Sequence, residues 1–484
     1  MITKSDYLKY LQCPKYFWLY KNRKSLIPGV SETDQAKFDQ GYEVEKYAQK
    51  LFKNGAEIKG NFRDGKKETE KFAKKRKNIF QATAMPKDLL ARADILNFNE
   101  NTGKWDIYEV KSTTEVKDEH IPDLCFQKIA FERDGYKIGE TFLIHVNSDY
   151  VKTGKIAPKK FLTTENITEQ VENFRSIVET DIPKALALLN FKDEMKKQIG
   201  QQCKLPYTCA FKEYCWGNLP KYSIYDIKRF NGDKLLALRD AGILEITDIP
   251  DDFPLSATQQ NQVLVAKTKK PIIDIKMIES TINGLEFPLY FLDYETYASA
   301  VPLFDGTHPY QNICFQYSLH VIRSQGTETE HYEFLHTDKS NPMPKLLSSL
   351  VQHIGETGSV IVWNKAFETT RNEEMAKQYP EYAKFLHSIN DRIFDLMEIF
   401  SKQYYVHPDF KGSCSIKKVL PVLVSQLSHS NLEGIQEGGI ASLYWFKHIF
   451  NNSQKKDNTI KNLLEYCKLD TFAMVAIYQE LKKI

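Results

Sequence analysis

The sequence predicts an α/β protein made of two α/β blocks joined by a helical connector. Three observations carry that expectation. At 484 residues the chain is longer than one ordinary core organises. Short β-prone runs alternate with helix-period segments in residues 1–219, and again in 286–484. Between them, residues 220–285 show only short helical patterns such as DKLLALRDAGI and LSATQQNQVLVA, with KTKKP and Pro288 punctuating the joins.

Composition narrows the class. A hydrophobic fraction of 42% with 27% charged residues is that of a globular protein. No apolar run approaches the ~18 residues of a membrane span. The opening MITKSDYLKYLQCPKYFW lacks a secretory apolar stretch. A cytoplasmic protein with reduced cysteines is expected, and clustered cysteines there point to metal or redox chemistry. The net charge of +3 neither requires nor excludes nucleic acid. The run GKKETEKFAKKRKN (65–78) is a solvated helix face or a phosphate-contacting stripe.

In the first block, ARADILNFNENTGKWDIYEVKSTT (91–114) reads as a β-hairpin. ADILNF and WDIYEVKS are half-apolar and β-prone, and NENTGK between them is turn chemistry. Asp94 lies on the first strand. Glu109 and Lys111 lie on the second, two residues apart and therefore on one face. Carboxylates so placed can hold Mg²⁺ or Mn²⁺ through oxygen. A bound ion polarises a phosphodiester and acidifies water, and the lysine can orient that water and offset developing charge.

Asp94 followed by Glu109-Val-Lys111 resembles the core of the PD-(D/E)XK nucleases. IYEVKSTT, with Gln127 on the next helix, resembles their RecB-like branch, in which a glutamine at that place contributes to the site. The family commonly has a histidine on an upstream helix. DQGYEVEKYAQKLF (39–52) has none, so Glu43 or Glu45 is expected to stand there, with Glu43 the candidate metal ligand. RecB-like nucleases of the CRISPR-associated and AddB types carry an iron–sulfur cluster on one early and three late cysteines. The resemblance therefore implies Cys13 together with Cys203, Cys209 and Cys215 of CKLPYTCAFKEYC as ligands of a [4Fe–4S] cluster. Zn²⁺ in a Cys₄ site and buried thiols without a ligand are the alternatives. Cys125, Cys314, Cys414 and Cys467 are scattered and read as small buried hydrophobes.

The connector segment DKLLALRDAGILEITDIP (233–250) faintly resembles a helix–hairpin–helix and otherwise reads as a structural joint.

The second block opens with PLYFLDYET (288–296), an apolar strand that puts Asp293 and Glu295 on one face. GSVIVWNKAFETTRNEEMAKQY (358–379) is a buried strand followed by a helix, with Glu368 near their junction. IKNLLEYCKLDTFAMVAIYQEL (460–481) is helical, and Tyr466 and Asp470 share one of its faces. Three acidic sites from separate elements can converge on a pair of divalent ions. Asp395 in RIFDLMEIF reads as a cap or supporting group. His407 and Lys411 either line a groove or belong to an ordered loop.

This set resembles the DnaQ-like 3′–5′ exonucleases of the DEDDy branch. Asp293 and Glu295 match the first motif. NKAFE resembles the second, Asn-x-x-Phe-Asp, with Glu368 in place of Asp. Tyr466-x-x-x-Asp470 matches the third. The block is similar to an uncharacterised bacterial subfamily often fused to a RecB-like nuclease. The resemblance implies an N-terminal restriction-endonuclease-like domain (1–219), a connector (220–285) and a C-terminal RNase H-like exonuclease domain (286–484).

The function expected is hydrolysis of DNA at two metal-dependent sites, on single strands or duplex ends and with RNA not excluded, in repair, processing or phage defence. A helicase or defence-system protein is the expected partner. The alternatives are a nucleic-acid-binding scaffold with one working site and an iron–sulfur redox-gated sensor.

Overall fold

A computed structural model describes residues 1–432 and 434–484. The protein is mixed α/β and forms two compact units. The first comprises Met1–Asn218 with Ser299–Gln311, and the second Leu219–Ala298 with Asn312–Ile484. Residues 220–285, expected as a separate connector, lie within the second unit. Ser299–Gln311, expected with the C-terminal block, belongs to the first. Burial explains that excursion, because Ala300 and Val301 enter a core with Val44, Ala48, Ile95 and Ile144.

The strands of the first unit are β1 (Ile2–Thr3), β2 (Ala56–Glu57), β3 (Ile79–Ala84), β4 (Leu89–Asn99), β5 (Lys104–Val110), β6 (Ile138–Val146) and β7 (Leu162–Asn166). They form one sheet in the order β2-β3-β4-β5-β6-β7, with β1 parallel beside β4. The predicted hairpin is β4–β5, antiparallel, and Gly103 takes a φ of +66° in its turn. The period-2 pattern sends neighbours to opposite faces. Leu96 joins the core under the His120–Arg133 and Thr168–Leu188 helices, while Ile95 joins the core under the Glu32–Gln49 helix. The basic run at 65–78 forms most of the Phe62–Ala73 helix and its exit. Gly65 and Thr69 face inward and most of its cations are exposed.

The second unit contains β8 (Ile272–Ile273), β9 (Leu289–Tyr297), β10 (Ile313–Ile322), β11 (Thr329–Leu335), β12 (Ser359–Val362), β13 (Ile393–Asp395) and β14 (Tyr405–Val406). Its main sheet runs β11-β10-β9-β12-β13. β9, β10 and β11 are antiparallel neighbours, and β9, β12 and β13 are parallel. The Lys456–Leu481 helix packs on β9 and β10, with Ala473, Met474 and Ile477 in one core with Phe291 and Ile361. Residues 222–266 build a smaller core around Ile224, Leu238, Ile246 and Val263. The Ala257–Thr268 helix of this region packs on β14, which pairs with β8. Among the described residues, no helix is long and apolar enough to cross a membrane.

Candidate functional site

In the first unit, the β4–β5 ladder ends at Ile95 and Tyr108. The next amide on β5's free side, Val110 N–H, donates to the Asp94 Oδ2 at 2.8 Å. Asp94 is thereby fixed where the strands part. On its other flank Gln81 has a φ of +57°, a strained value for this residue type, and its Nε2 donates to Asp94 Oδ1 at 3.2 Å and to Glu45 Oε1 at 2.6 Å.

Glu109, at the end of β5, is 2% exposed and collects three donors. Lys111 Nζ and Lys4 Nζ each lie 2.7 Å from its Oε1, and Gln127 Nε2 donates to its Oε2 at 2.8 Å. The same three donors reach Asp123, at 2.8, 3.3 and 2.9 Å respectively. Asp123 and Gln127 are four apart on the His120–Arg133 helix and so share a face. Asp94, Glu109, Lys111 and Gln127 are therefore brought together.

Sequence reasoning missed Lys4, Asp123 and Gln81. Glu43 is not part of the cluster. It is exposed, whereas Glu45, two residues on and across the helix, faces Gln81 and Asp94.

The electrostatics divide this site in two. Burial raises the carboxyl of Asp94, with help from the Glu109 charge, to about 8. Burial raises Glu45 as well. Burial also works against ionised Asp123, but Lys111 and Lys4 overcome it and hold that carboxyl well below the usual range. Burial disfavours the Lys111 ammonium, and Asp123 and Glu109 reverse this and hold it above its ordinary value. The Oε1 of Gln127 is buried without a protein partner.

In the second unit, Asp293 and Glu295 project from one face of the central strand β9. β12, parallel to β9, leads through Asn364 into the Lys365–Gln378 helix. Asn364 has a φ of +115°, a strained elbow that starts the helix one turn before Glu368. Asp395 caps this elbow, accepting from the amides of Asn364, Lys365 and Met397 at 3.1, 3.0 and 3.0 Å. It is a cap, with its carboxylate turned to the backbone.

Tyr466 and Asp470 come from the Lys456–Leu481 helix, on the face toward β9. His429 Nε2 lies 2.6 Å from Asp470 Oδ1, and Gly438 leaves room for Glu295 Oε2 and the Tyr466 hydroxyl, each 3.8 Å from where a Cβ would stand. His407 and Lys411 belong to the ordered turn around Pro408–Phe410, where His407 Nδ1 accepts from the Asp409 amide at 3.1 Å.

Cys467 departs from the expectation of an uninvolved hydrophobe. Its Sγ is 3.7 Å from Asp293 Oδ2. Asp293, Glu295 and Cys467 present ligand atoms that all lie within 4.8 Å of one another. Position 467 precedes Asp470 by three, so helical spacing carried that signal.

Mutual repulsion marks this second site. Burial raises Asp293 well above the ordinary carboxyl range, and Asp470, Glu295 and Glu368 add to it. Burial and Asp470 do the same to Glu295. Burial raises Glu368 to about 8, and its Oε2 is buried without a protein partner. Burial, then the Asp470 charge, keeps the Tyr466 hydroxyl protonated far above the usual phenol range. Such a set is stable as a partly protonated cluster or around a cation.

The four predicted cysteines also meet. Cys13 sits between the Lys4–Gln12 and Pro14–Asn22 helices. Cys203, Cys209 and Cys215 approach it from the other end of the unit, and all four line one small pocket of about 20 Å³. Gln12 Nε2 fastens the late loop by donating to the carbonyls of Gln202 at 2.8 Å and Tyr207 at 2.7 Å. Burial raises the Cys209 thiol to about 11.

Comparison with known proteins adds similarity without a described activity. A family model for a domain of unknown function, DUF2779, matches residues 290–415. The uncharacterized protein UU173 of Ureaplasma parvum serovar 3 is 26% identical over 293 residues, covering 55% of this chain and 42% of that protein. The uncharacterized protein MG366 of Mycoplasma genitalium is 28% identical over 218 residues, covering 41% and 32% respectively. The MG366 homolog of Mycoplasma pneumoniae is 28% identical over 230 residues, covering 43% and 34%. The chain spans less than half the length of these curated relatives, and the family match falls on the segment that carries Asp293, Glu295, Glu368 and Asp395.

Proposed function

We propose that the protein is a divalent-metal-dependent nuclease with two hydrolytic sites acting on DNA. The observation that carries this reading is the convergence, in each unit, of carboxylates from distant segments into one buried cluster. Six separated segments supply the first cluster through Lys4, Glu45, Gln81, Asp94, Glu109 with Lys111, and Asp123 with Gln127. The resemblance to PD-(D/E)XK nucleases is supported by the site lying where β4 and β5 part, flanked by one helix on each sheet face. The DnaQ-like, RNase H-fold reading is supported by a mixed sheet whose central strand carries the acids.

The donor sets fit the implied metals. Asp94, Glu109 and Glu45, with the unpartnered Gln127 Oε1, offer hard oxygen ligands in the first unit. Asp293, Glu295, Asp470 and Glu368, whose Oε2 also lacks a partner, do so in the second. Mg²⁺ or Mn²⁺ there supplies polarisation of the phosphate and acidification of the attacking water. The chain's own residues do the positioning. Lys111, gripped by Glu109 and Asp123, stays charged, and its role is to orient the attacking water and offset charge developing on the phosphate. The Tyr466 hydroxyl, being protonated, serves as a hydrogen-bond group and not as a base.

The four cysteines, drawn from both ends of the unit onto one pocket, are read as ligands of a [4Fe–4S] cluster, each thiolate binding a different iron, with Zn²⁺ as the alternative.

The test is cleavage of end-labelled single-stranded DNA, duplex DNA and RNA by anaerobically purified protein with Mg²⁺ or Mn²⁺. Wild type is compared with Lys111→Ala, Asp293→Ala and the double variant. Loss of a different product pattern in each single variant and an inert double variant are expected. An Asp293→Ala protein indistinguishable from wild type on every substrate removes the second site from the reading.

A further inference from the structure

A groove of about 920 Å³ in the first unit has Lys111 and Asp123 on its floor. Its walls carry large apolar side chains that face solvent. Phe38 is 52% exposed and comes from the Glu32–Gln49 helix. Tyr207 and Leu205, 62% and 61% exposed, come from the loop between Cys203 and Cys209. Ordinary packing does not explain such exposure of aromatics beside a charged centre.

Helical spacing links Phe38, on one wall, to the Asp94 cluster. Phe38, Tyr42 and Glu45 stand at i, i+4 and i+7, so they form one stripe, and its last member reaches the Asp94 cluster through Gln81. Tyr42 is 62% exposed. On the other wall, Gln12 Nε2 holds the Tyr207 carbonyl at 2.7 Å, so the ring is presented from an anchored backbone. Lys9 adds a cation to the groove.

We infer that this groove is a stacking platform for unpaired nucleobases, with Tyr207 and Phe38 as its principal rings. The inference rests on the nuclease reading of the Lys111 site and names the form of strand it takes. Aromatic rings bind any base through its π face, and they require that face to be free. In a duplex both faces of each interior base are covered by neighbours, so the rings select single strands. The continuity of the groove with Lys111 and Asp123 brings the backbone of a strand held there to the reacting groups. Because Tyr207 lies between two of the clustered cysteines, the cysteine site also fixes one wall of the platform.

The experiment measures binding of the full-length protein to two fluorescent strands of equal length, oligothymidylate and a fully abasic strand, with Ca²⁺ in place of Mg²⁺. Cleavage of the same strands with Mg²⁺ is followed in parallel. Oligothymidylate is expected to bind more tightly. That preference should fall about ten- to hundred-fold in Tyr207→Ala and Phe38→Ala, and be kept in Tyr207→Trp. Iodouracil placed in the strand should photocross-link to Tyr207. Equal affinity for the two strands, or an undiminished preference in both alanine variants, overturns the platform while Lys111-dependent cleavage keeps the nuclease reading. Failure to cleave or bind either strand overturns the nuclease reading and the platform with it.

Discussion

Lys4 and Glu109, 105 residues apart in the chain, meet at 2.7 Å, on the carboxylate oxygen that also accepts from Lys111. The parallel pairing of β1 with β4 makes this contact, because it carries the residue after Thr3 to the open end of the hairpin. Two ammonium groups thus offset the charge of Glu109 and Asp123.

Removing one of those ammonium groups should be costly. Lys4→Met leaves buried carboxylate charge short of a partner, a loss of about 3 kcal/mol. Urea unfolding in EDTA should show it, and added Mg²⁺ should recover part of it by occupying the same negative field. An equal loss with and without Mg²⁺ would mean that the lysine does not share that field with a metal.

The Glu32–Gln49 helix offers a paired comparison. Glu45→Gln should raise the Mn²⁺ concentration needed for Lys111-dependent cleavage by about ten-fold or more, in the range found for groups that support a metal site. Glu43→Gln, on the exposed face, should leave it unchanged. Metal titrations of the two variants give the answer, and the reverse order would undo the assignment of Glu45.

Metal and proton should compete. Asp94 and Glu368 are each raised to about 8 by burial, so the folded protein holds these protons more tightly than the unfolded chain does. Stability from this source is fully present below the unfolded carboxyl values near ~4 and is lost as pH rises toward ~8. Asp123, held low by its lysines, acts with the opposite sign, and only below ~4. In EDTA the melting temperature should therefore fall as pH rises from about 6 to about 8. Mn²⁺ should stabilise more at the higher pH. A metal-induced shift independent of pH would contradict the picture.

The local elements were legible in the sequence, and the long-range partners were not. The 91–114 hairpin, the Asp293 strand and the Tyr466–Asp470 helical face each declare themselves within about one window of periodicity. Glu368 was readable from its strand-to-helix context, though the strained φ of Asn364 was not. Lys4 sits on a two-residue strand with no pattern of its own. His429 reaches Asp470 from a loop 41 residues earlier. Asp123 was hidden because the His120–Arg133 helix is buried on nearly every side, so no polar face marked it. Residue type alone makes Cys467 a small hydrophobe, and its spacing from Asp470 is the better guide.

The cysteine cavity makes a compositional prediction. Anaerobically purified protein should contain iron and acid-labile sulfide in equal amounts, and Cys13→Ser or Cys209→Ser should lose both together. Zinc at one equivalent without sulfide would replace the cluster reading with the Cys₄ alternative.

Residues 1–218 expressed alone lack Ala300 and Val301, which are 0% and 7% exposed in the first unit. Their burial is worth roughly 2–4 kcal/mol. The fragment should melt below the same fragment with 299–311 appended through a flexible linker. Calorimetry on the two compares them directly, and equal melting temperatures would show that the excursion adds no stability.

That excursion also sets an order of events during synthesis. Tyr310, which donates to the carbonyl of Ser112 next to Lys111, leaves the ribosome long after the rest of the unit it completes. From Asn218 through Gln311 the ribosome adds 93 further residues, which at roughly 5–20 residues per second take about 5–20 s to translate. For that interval the nascent first unit carries an apolar slot over Val44 and Ala48 where Ala300 and Val301 will pack. The newborn chain thus has a built-in delay before the Tyr310–Ser112 contact beside Lys111 forms and the slot is filled.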